Sequence, residues 1–226
     1  MQLTGCLEIG NDSMKIIDLT RQMHDTLFVD IPKTEVTEVL LQSADITYTG
    51  VVYDFSYNSM AGTYIDFPGH IKECDDGNNA GNYPVEKLYR QTADVIQLDR
   101  ISNSGGVTAN ELKTALQSPQ VGNKTLIINA LGKLDSGSIE RRSVFLNTSA
   151  VEWIIEQGYE ILISDIYESK NIAGVFYKLF QAGIITVCEP VNLYKLKNQK
   201  VKISIFPLRH TGITQLPCRV IAEISD

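Results

Sequence analysis

The stretch Ser59-Met60-Ala61-Gly62-Thr63-Tyr64-Ile65-Asp66-Phe67-Pro68-Gly69-His70 carries the densest chemistry in this chain. Gly62 permits backbone geometry closed to other residues, and Pro68-Gly69 stops any continuing strand or helix. Asp66 and His70 are therefore presented on a shaped loop, a carboxylate close to an imidazole. An ordinary strand-to-turn corner can carry the same two residues, with Asp66 capping backbone amides and His70 at the surface. On these residues alone both readings stand.

Upstream, Tyr53, Phe55 and Tyr57 alternate and so share one face of a strand running into the stretch, a face that either lines a pocket or packs in the core. Ile46–Asp54 reads as a strand, as do Val95–Leu98, Thr125–Asn129, Glu160–Ser164, Ile184–Val187, Val201–Pro207 and Arg219–Ile224. Thr108 with Glu111 predicts a capping box opening a helix over Ala109–Leu116. Thr148 predicts a cap for Ser149–Glu156, closed by Gly158, and a third helix is expected from about Ile172 to Ala182, closed by Gly183. Trp153 and Phe145 flank the second helix as core candidates. Helix–strand alternation after residue 105 implies parallel βαβ pieces, and the earlier part adds more strand than helix. The expected fold class is α/β, with a large, mixed, partly barrel-like sheet and surrounding helices.

The 226 residues, 43% of them apolar, suffice for a single domain over 14–226 preceded by a loose extension over 1–13. A net charge of −7 gives no electrostatic footprint for nucleic acid or an anionic membrane, and the longest apolar stretches are strand-sized. The start of the chain, with Glu8 and Asp12, has no secretory pattern, which predicts a cytoplasmic protein. Cys6, Cys74, Cys188 and Cys218 form no C-x-x-C pair, so no zinc knuckle or disulfide framework is expected. His24, His70 and His210 lie far apart, and any site built on several imidazoles must assemble through the fold.

The 59–70 stretch resembles the signature H-x-G-T-H-x-D-x-P-x-H of the cyclase family that includes bacterial kynurenine formamidase and isatin hydrolase. Gly62, Thr63, Asp66, Pro68 and His70 stand at the matching spacing. Ile16-Ile17-Asp18-Leu19-Thr20 is similar to the family's opening strand, and Ala182 to Glu189 with Asn192-Leu193 to its late glutamate segment. Pro207-Leu208, Gly212 and Pro217 to Ala222 are similar to its closing strands. The resemblance implies a swivelling β/β/α domain, a dimer or tetramer, and a metal-dependent hydrolase of small cyclic or acyl-amide compounds. The implied ligand positions fall on Met60, Tyr64, Asp66, Tyr177 and Glu189, and the non-ligating catalytic histidine on His70. Asn129-Ala130-Leu131-Gly132-Lys133 replaces a Thr-Gly-Trp stretch common in the family, which points to a different substrate.

Three imidazole ligands are thus replaced by a thioether and two phenols, soft or neutral donors at pH 7. The expectation is no cofactor, with a divalent metal at Asp66 and Glu189 as the alternative. Two carboxylates without a metal's charge should raise at least one pKa. His70 can then shuttle a proton, and Tyr64 and Tyr177 can donate to a developing oxyanion. Met60, Phe67, Thr63 and Arg219 are the candidate substrate contacts. Strand alternation predicts that Cys188 points away if Glu189 points in. The resulting reading is a metal-independent enzyme on a small-molecule substrate, working by cyclisation, dehydration or isomerisation, or acyl or amide hydrolysis, and assembled as a homodimer or homotetramer. A metal-dependent amidohydrolase with substituted ligands and an inactive ligand-binding homologue are the alternatives.

Overall fold

Apolar strands that alternate with helices pack side by side in parallel, and this chain begins and ends that series with antiparallel strands. The computed structural model describes residues 14–27, 29–101, 104–116, 122–134, 143–169, 174–197 and 200–225. The expected extension over 1–13 and the expected start of the third helix at Ile172 lie outside the described residues. In chain order the elements are β1 (Met14–Asp18), β2 (Lys33–Ser43), β3 (Ile46–Ser56), β4 (Tyr64–Asp66), β5 (Gln91–Gln97), β6 (Gly105–Val107) and α1 (Ala109–Ala115). There follow β7 (Thr125–Asn129), β8 (Val144–Leu146), α2 (Thr148–Glu156), β9 (Ile161–Ser164), α3 (Val175–Gln181), β10 (Ile185–Cys188), β11 (Val201–Pro207) and β12 (Gln215–Ser225).

Strands β5, β7, β9 and β10 run parallel, as the alternation predicts. On one side β10 pairs antiparallel with β4, and on the other β5 pairs antiparallel with β11. The long β12 pairs with β11 and with β4, which closes seven strands into a mixed barrel, while β1 extends along β12 beyond β4. Period-two alternation then splits the core. Ile65, Ile127, Ile163, Val187, Ile203 and Val220 fill the barrel. Ile96, Leu126, Ile128 and Leu162 face outward, where the three helices cover them with Leu112, Val151, Ile154 and Leu179.

The capping box of α1 is present, Thr108 accepting from Glu111 N and Glu111 accepting from Thr108 N. For α2 the cap is Asn147 rather than Thr148; its side chain accepts from Ala150 N at 3.0 Å. Asparagine is the stronger cap, so the helix begins one residue earlier. Trp153 is buried as expected. Strands β2 and β3 pair only with each other, as an arm that leaves the barrel. Tyr53 and Phe55 stack on that arm with centroids 6.3 Å apart and are exposed, so they do not pack in the core, while Tyr57, past the end of β3, borders a groove at the arm's root. Among the described residues, no helix is long and apolar enough to cross a membrane.

Candidate active site

The side chains of β4 sort by alternation. Ile65 and Phe67 turn into the barrel, while Tyr64 and Asp66 turn outward, beneath α3 and the loop that follows β9. Register places Thr186 of β10, Asp66 of β4 and Gln215 of β12 in one row across three strands. A cavity of about 470 Å³ lies over that row. His70, from the Pro68–His70 turn, stands at its rim with its ring edge-on to Phe180. Tyr167, Ile166, Leu131 and Phe176 supply an apolar wall, with the Tyr167 and Phe176 rings stacked 4.8 Å apart.

Asp66 is buried at 2% exposure, and its Oδ1 accepts no hydrogen bond from the protein. Its Oδ2 is approached by Thr186 Oγ1 at 3.5 Å and Cys188 Sγ at 3.6 Å. Burial pushes the Asp66 pKa up to about 7, against the opposing pull of nearby Gln215, Cys188 and Thr186. One carboxylate is thus raised, as expected, but by desolvation rather than by repulsion from Glu189. Gln215 accepts from Ser59 Oγ at 2.5 Å through Oε1, which leaves Nε2 to donate to His70 Nε2 at 3.2 Å. An accepting Nε2 puts the proton of the neutral ring on Nδ1. Burial also lowers the His70 pKa, favouring that neutral form.

Glu189 follows β10 with φ +57°, in the left-handed region, and this turn carries it to the cavity from a position that strand alternation would aim at the barrel interior. Its neighbour Cys188, still within the strand, faces the same cavity. The expectation that Cys188 points away is therefore corrected, because Glu189 is not part of the alternation. Arg21 Nε lies 3.3 Å from Glu189 Oε2, both side chains buried. Thr63 ties this pair together, accepting from Arg21 N at 2.7 Å and donating to Glu189 O at 2.8 Å. Gly62, at φ +69°, makes the turn possible: a Cβ there would sit 2.9 Å from Arg21 O.

Met60, Tyr64, Asp66, His70 and Glu189 converge on the cavity. Four other expected residues do not. Tyr177 is 40% exposed on α3, its hydroxyl accepting from Gln181. Successive helical residues diverge by about 100°, so Phe176 faces the cavity and Tyr177 faces out. Phe67 is fully buried against Tyr83 in the barrel, on the opposite face of the chain from Asp66. Thr63 is buried behind the site, where it positions the backbone. Arg219 pairs with Asp18 at 2.6 Å on a separate groove. Missed by sequence reasoning were Arg21, Gln215 and Phe176. Arg21 directly follows the Asp18-Leu19-Thr20 stretch, and Phe176 is one helical step from Tyr177, but nothing in the pattern marks Gln215.

The five positions of the implied metal set do not fit a divalent cation. Met60 offers a thioether. Burial and the neighbouring Cys188, Asp66 and Glu189 hold the Tyr64 phenol far above its ordinary pKa, Tyr177 is outside the cavity, and Glu189 faces a guanidinium. Only Asp66 offers a free oxygen, well short of the three or four donors that zinc takes. Among the described residues no group of three His, Cys, Asp or Glu side chains is gathered at metal-binding spacing.

Solved structures share this architecture. Isatin hydrolase A from Ralstonia solanacearum superposes with TM-score 0.71 at 18% identity, over 94% of this chain and 92% of that one. Isatin hydrolase A from Labrenzia aggregata, solved with benzyl benzoate, gives 0.71 at 16% identity over 96% of each chain. A potential metal-dependent hydrolase with cyclase activity gives 0.68 at 16% identity, over 93% and 99%. No curated protein matches in sequence. A family model described as putative cyclase matches residues 17–169, and the chain belongs to that cyclase family.

Proposed function

We propose that this chain is a hydrolase-type enzyme that opens a small, largely apolar amide or acyl compound by metal-independent acid–base chemistry. The observation that carries the reading is Asp66: a buried carboxyl on the cavity, with one unbonded oxygen and a pKa of about 7. As a carboxylate it takes a proton from an attacking water while the water oxygen bonds to the carbonyl carbon. The Nδ1–H of neutral His70 donates to the carbonyl oxygen as charge develops there. The bond to the leaving nitrogen or oxygen then breaks, and Asp66 returns the proton to it. The same steps in reverse close a ring. Phe176, Tyr167 and Leu131 hold a planar substrate and exclude bulk water. The Arg21–Glu189 pair keeps a second carboxylate in the wall, its charge met by the guanidinium rather than by a metal ion.

The test uses isatin, the compound for which the relatives are named, beside a panel of lactams, N-formyl amines and aryl esters. Protein stripped with a chelator should retain turnover, and Asp66→Asn and His70→Ala should each lower kcat by about 100-fold or more. The kcat/KM profile should rise with pH through a limb near 7. Turnover that needs stoichiometric zinc or manganese overturns metal independence, and full activity in Asp66→Asn overturns the mechanism.

A further inference from the structure

Among the described residues, the Asp66 cavity is lined by four carboxylates, Asp66, Asp165, Glu168 and Glu189, and by no lysine or arginine. Three of the four have work already. Asp66 carries the acid–base chemistry, and Glu189 faces the Arg21 guanidinium at 3.3 Å. Asp165 is saturated: its Oδ1 accepts from Ala130 N at 2.9 Å, and its Oδ2 from Asn129 Nδ2 at 2.7 Å and Leu131 N at 3.0 Å. Glu168 differs. Its Oε1 accepts from Gly174 N at 2.9 Å and Phe176 N at 3.3 Å, which fixes the carboxylate at the start of α3. Among the described residues its Oε2 takes no hydrogen bond, and no cation pairs with it. Capping a helix end needs one acceptor oxygen, which serine or asparagine supplies without a charge. The second oxygen and the negative charge are surplus to that role. The stacked rings of Tyr167 and Phe176 adjoin Glu168, one preceding it in the chain and the other bonded to it through the backbone. Tyr167 directs its hydroxyl to the carbonyls of Leu162 and Val187, at 3.0 Å and 2.8 Å, so its ring stands as a fixed aromatic wall.

We infer that Glu168 and this aromatic wall hold a positively charged amine, so that the substrate is an aromatic amide or ester bearing an ammonium group and no carboxylate. The inference rests on the reading of this cavity as the active site, and adds one positive charge to its apolar frame. An ammonium beside a carboxylate and a π face is attracted by both, more strongly where water is excluded. A substrate carboxylate in the same place meets Glu168 with no cation to offset it, and its desolvation adds to the cost. The cavity's volume of about 470 Å³ suits a single ring with two short substituents. The reacting acyl group lies against Asp66 and His70, and the ammonium against Glu168.

Calorimetric titration of the full chain with three unreactive probes that share one ring, benzyltrimethylammonium, benzyl alcohol and phenylacetate, tests this without turnover. The cation should bind about tenfold or more tighter than either of the others. Glu168→Gln keeps an acceptor for the Gly174 and Phe176 amides, and should lower the cation's affinity about tenfold while leaving that of benzyl alcohol unchanged. Equal affinities of the unmodified protein for the cation and for phenylacetate overturn the inference, as does an unchanged cation affinity in Glu168→Gln. Should that variant not fold, Phe176→Leu, which retains the backbone amide, must weaken the cation about threefold more than benzyl alcohol; equal weakening overturns the inference. Turnover separates the amine site from the chemistry. Selective binding of the cation with no hydrolysis of para-(aminomethyl)formanilide supports the amine site and counts against the acid–base reading. Hydrolysis of that compound and of para-(carboxymethyl)formanilide with equal KM keeps the acid–base reading and overturns the amine site.

Discussion

At the scale of one residue, Asp66 sets a conflict between stability and chemistry. The unfolded chain releases its proton near 3.8, whereas the native carboxyl keeps its proton to about 7. Between those values the native state binds more protons than the unfolded one, so stability falls as pH rises through that window. Fully ionised, Asp66 costs on the order of 4 kcal/mol. Asp66→Asn removes the ionisation and should flatten this part of the curve. Thermal unfolding measured from about pH 4 to pH 8 should therefore show the variant gaining on the parent protein as pH rises, while its turnover is lost. Parallel curves for the two proteins would show that Asp66 does not titrate in that window. Asp66 and His70 were legible in the sequence because Gly62 and Pro68-Gly69 bracket the short segment that carries them, although Asp66 closes strand β4 and only His70 lies in the turn beyond it. Gln215 was not, because its role depends on a strand register 149 positions away along the chain from Asp66. Tyr177 was misplaced because a signature position says nothing about helical phase.

At the scale of elements, local signals were legible and junctions were not. Strands β7 and β11 match their expected limits, since a β-branched stretch bounded by polar residues needs no tertiary information. The α1 capping box is local chemistry as well. By contrast, Glu189 reaches the cavity only because β10 ends in a left-handed residue, and no propensity marks a glutamate for that conformation. The turn at Gly62 is the matching device on β4. An alanine there must hold φ +69° and meet the Arg21 carbonyl at 2.9 Å, which should cost about 2–4 kcal/mol. Because the displaced carbonyl belongs to the residue facing Glu189, Gly62→Ala should also lower turnover. Glycine-to-alanine at Gly77, whose φ of +82° faces open space, is the control: it should lose stability from backbone strain alone and keep activity. Equal loss of activity in both variants would remove the positioning role.

At the scale of the whole molecule, the barrel makes its two apolar layers interdependent, because each strand wall belongs to both. Ile127 and Ile128 are neighbours on β7 and both are fully buried, yet Ile127 points into the barrel and Ile128 points beneath the helices. If residues 14–226 fold as one domain, truncation on either side must weaken the same cooperative transition. Ile127→Ala and Ile128→Ala should each cost about 2–5 kcal/mol, with a single unfolding step and an unchanged denaturant slope in both variants. In a protein of this size that corresponds to a fall in Tm of roughly 5–15 °C. Calorimetry and urea titration read the result independently. A second transition in Ile128→Ala, with the barrel surviving after the helical layer is lost, would show that the helices form a separable layer. In that case the cavity, which lies between the outer barrel face and α3, would open before the barrel unfolds, and activity would disappear below the main transition. A single transition instead ties the integrity of the Asp66 cavity to that of the barrel, so turnover and global structure should be lost at the same temperature.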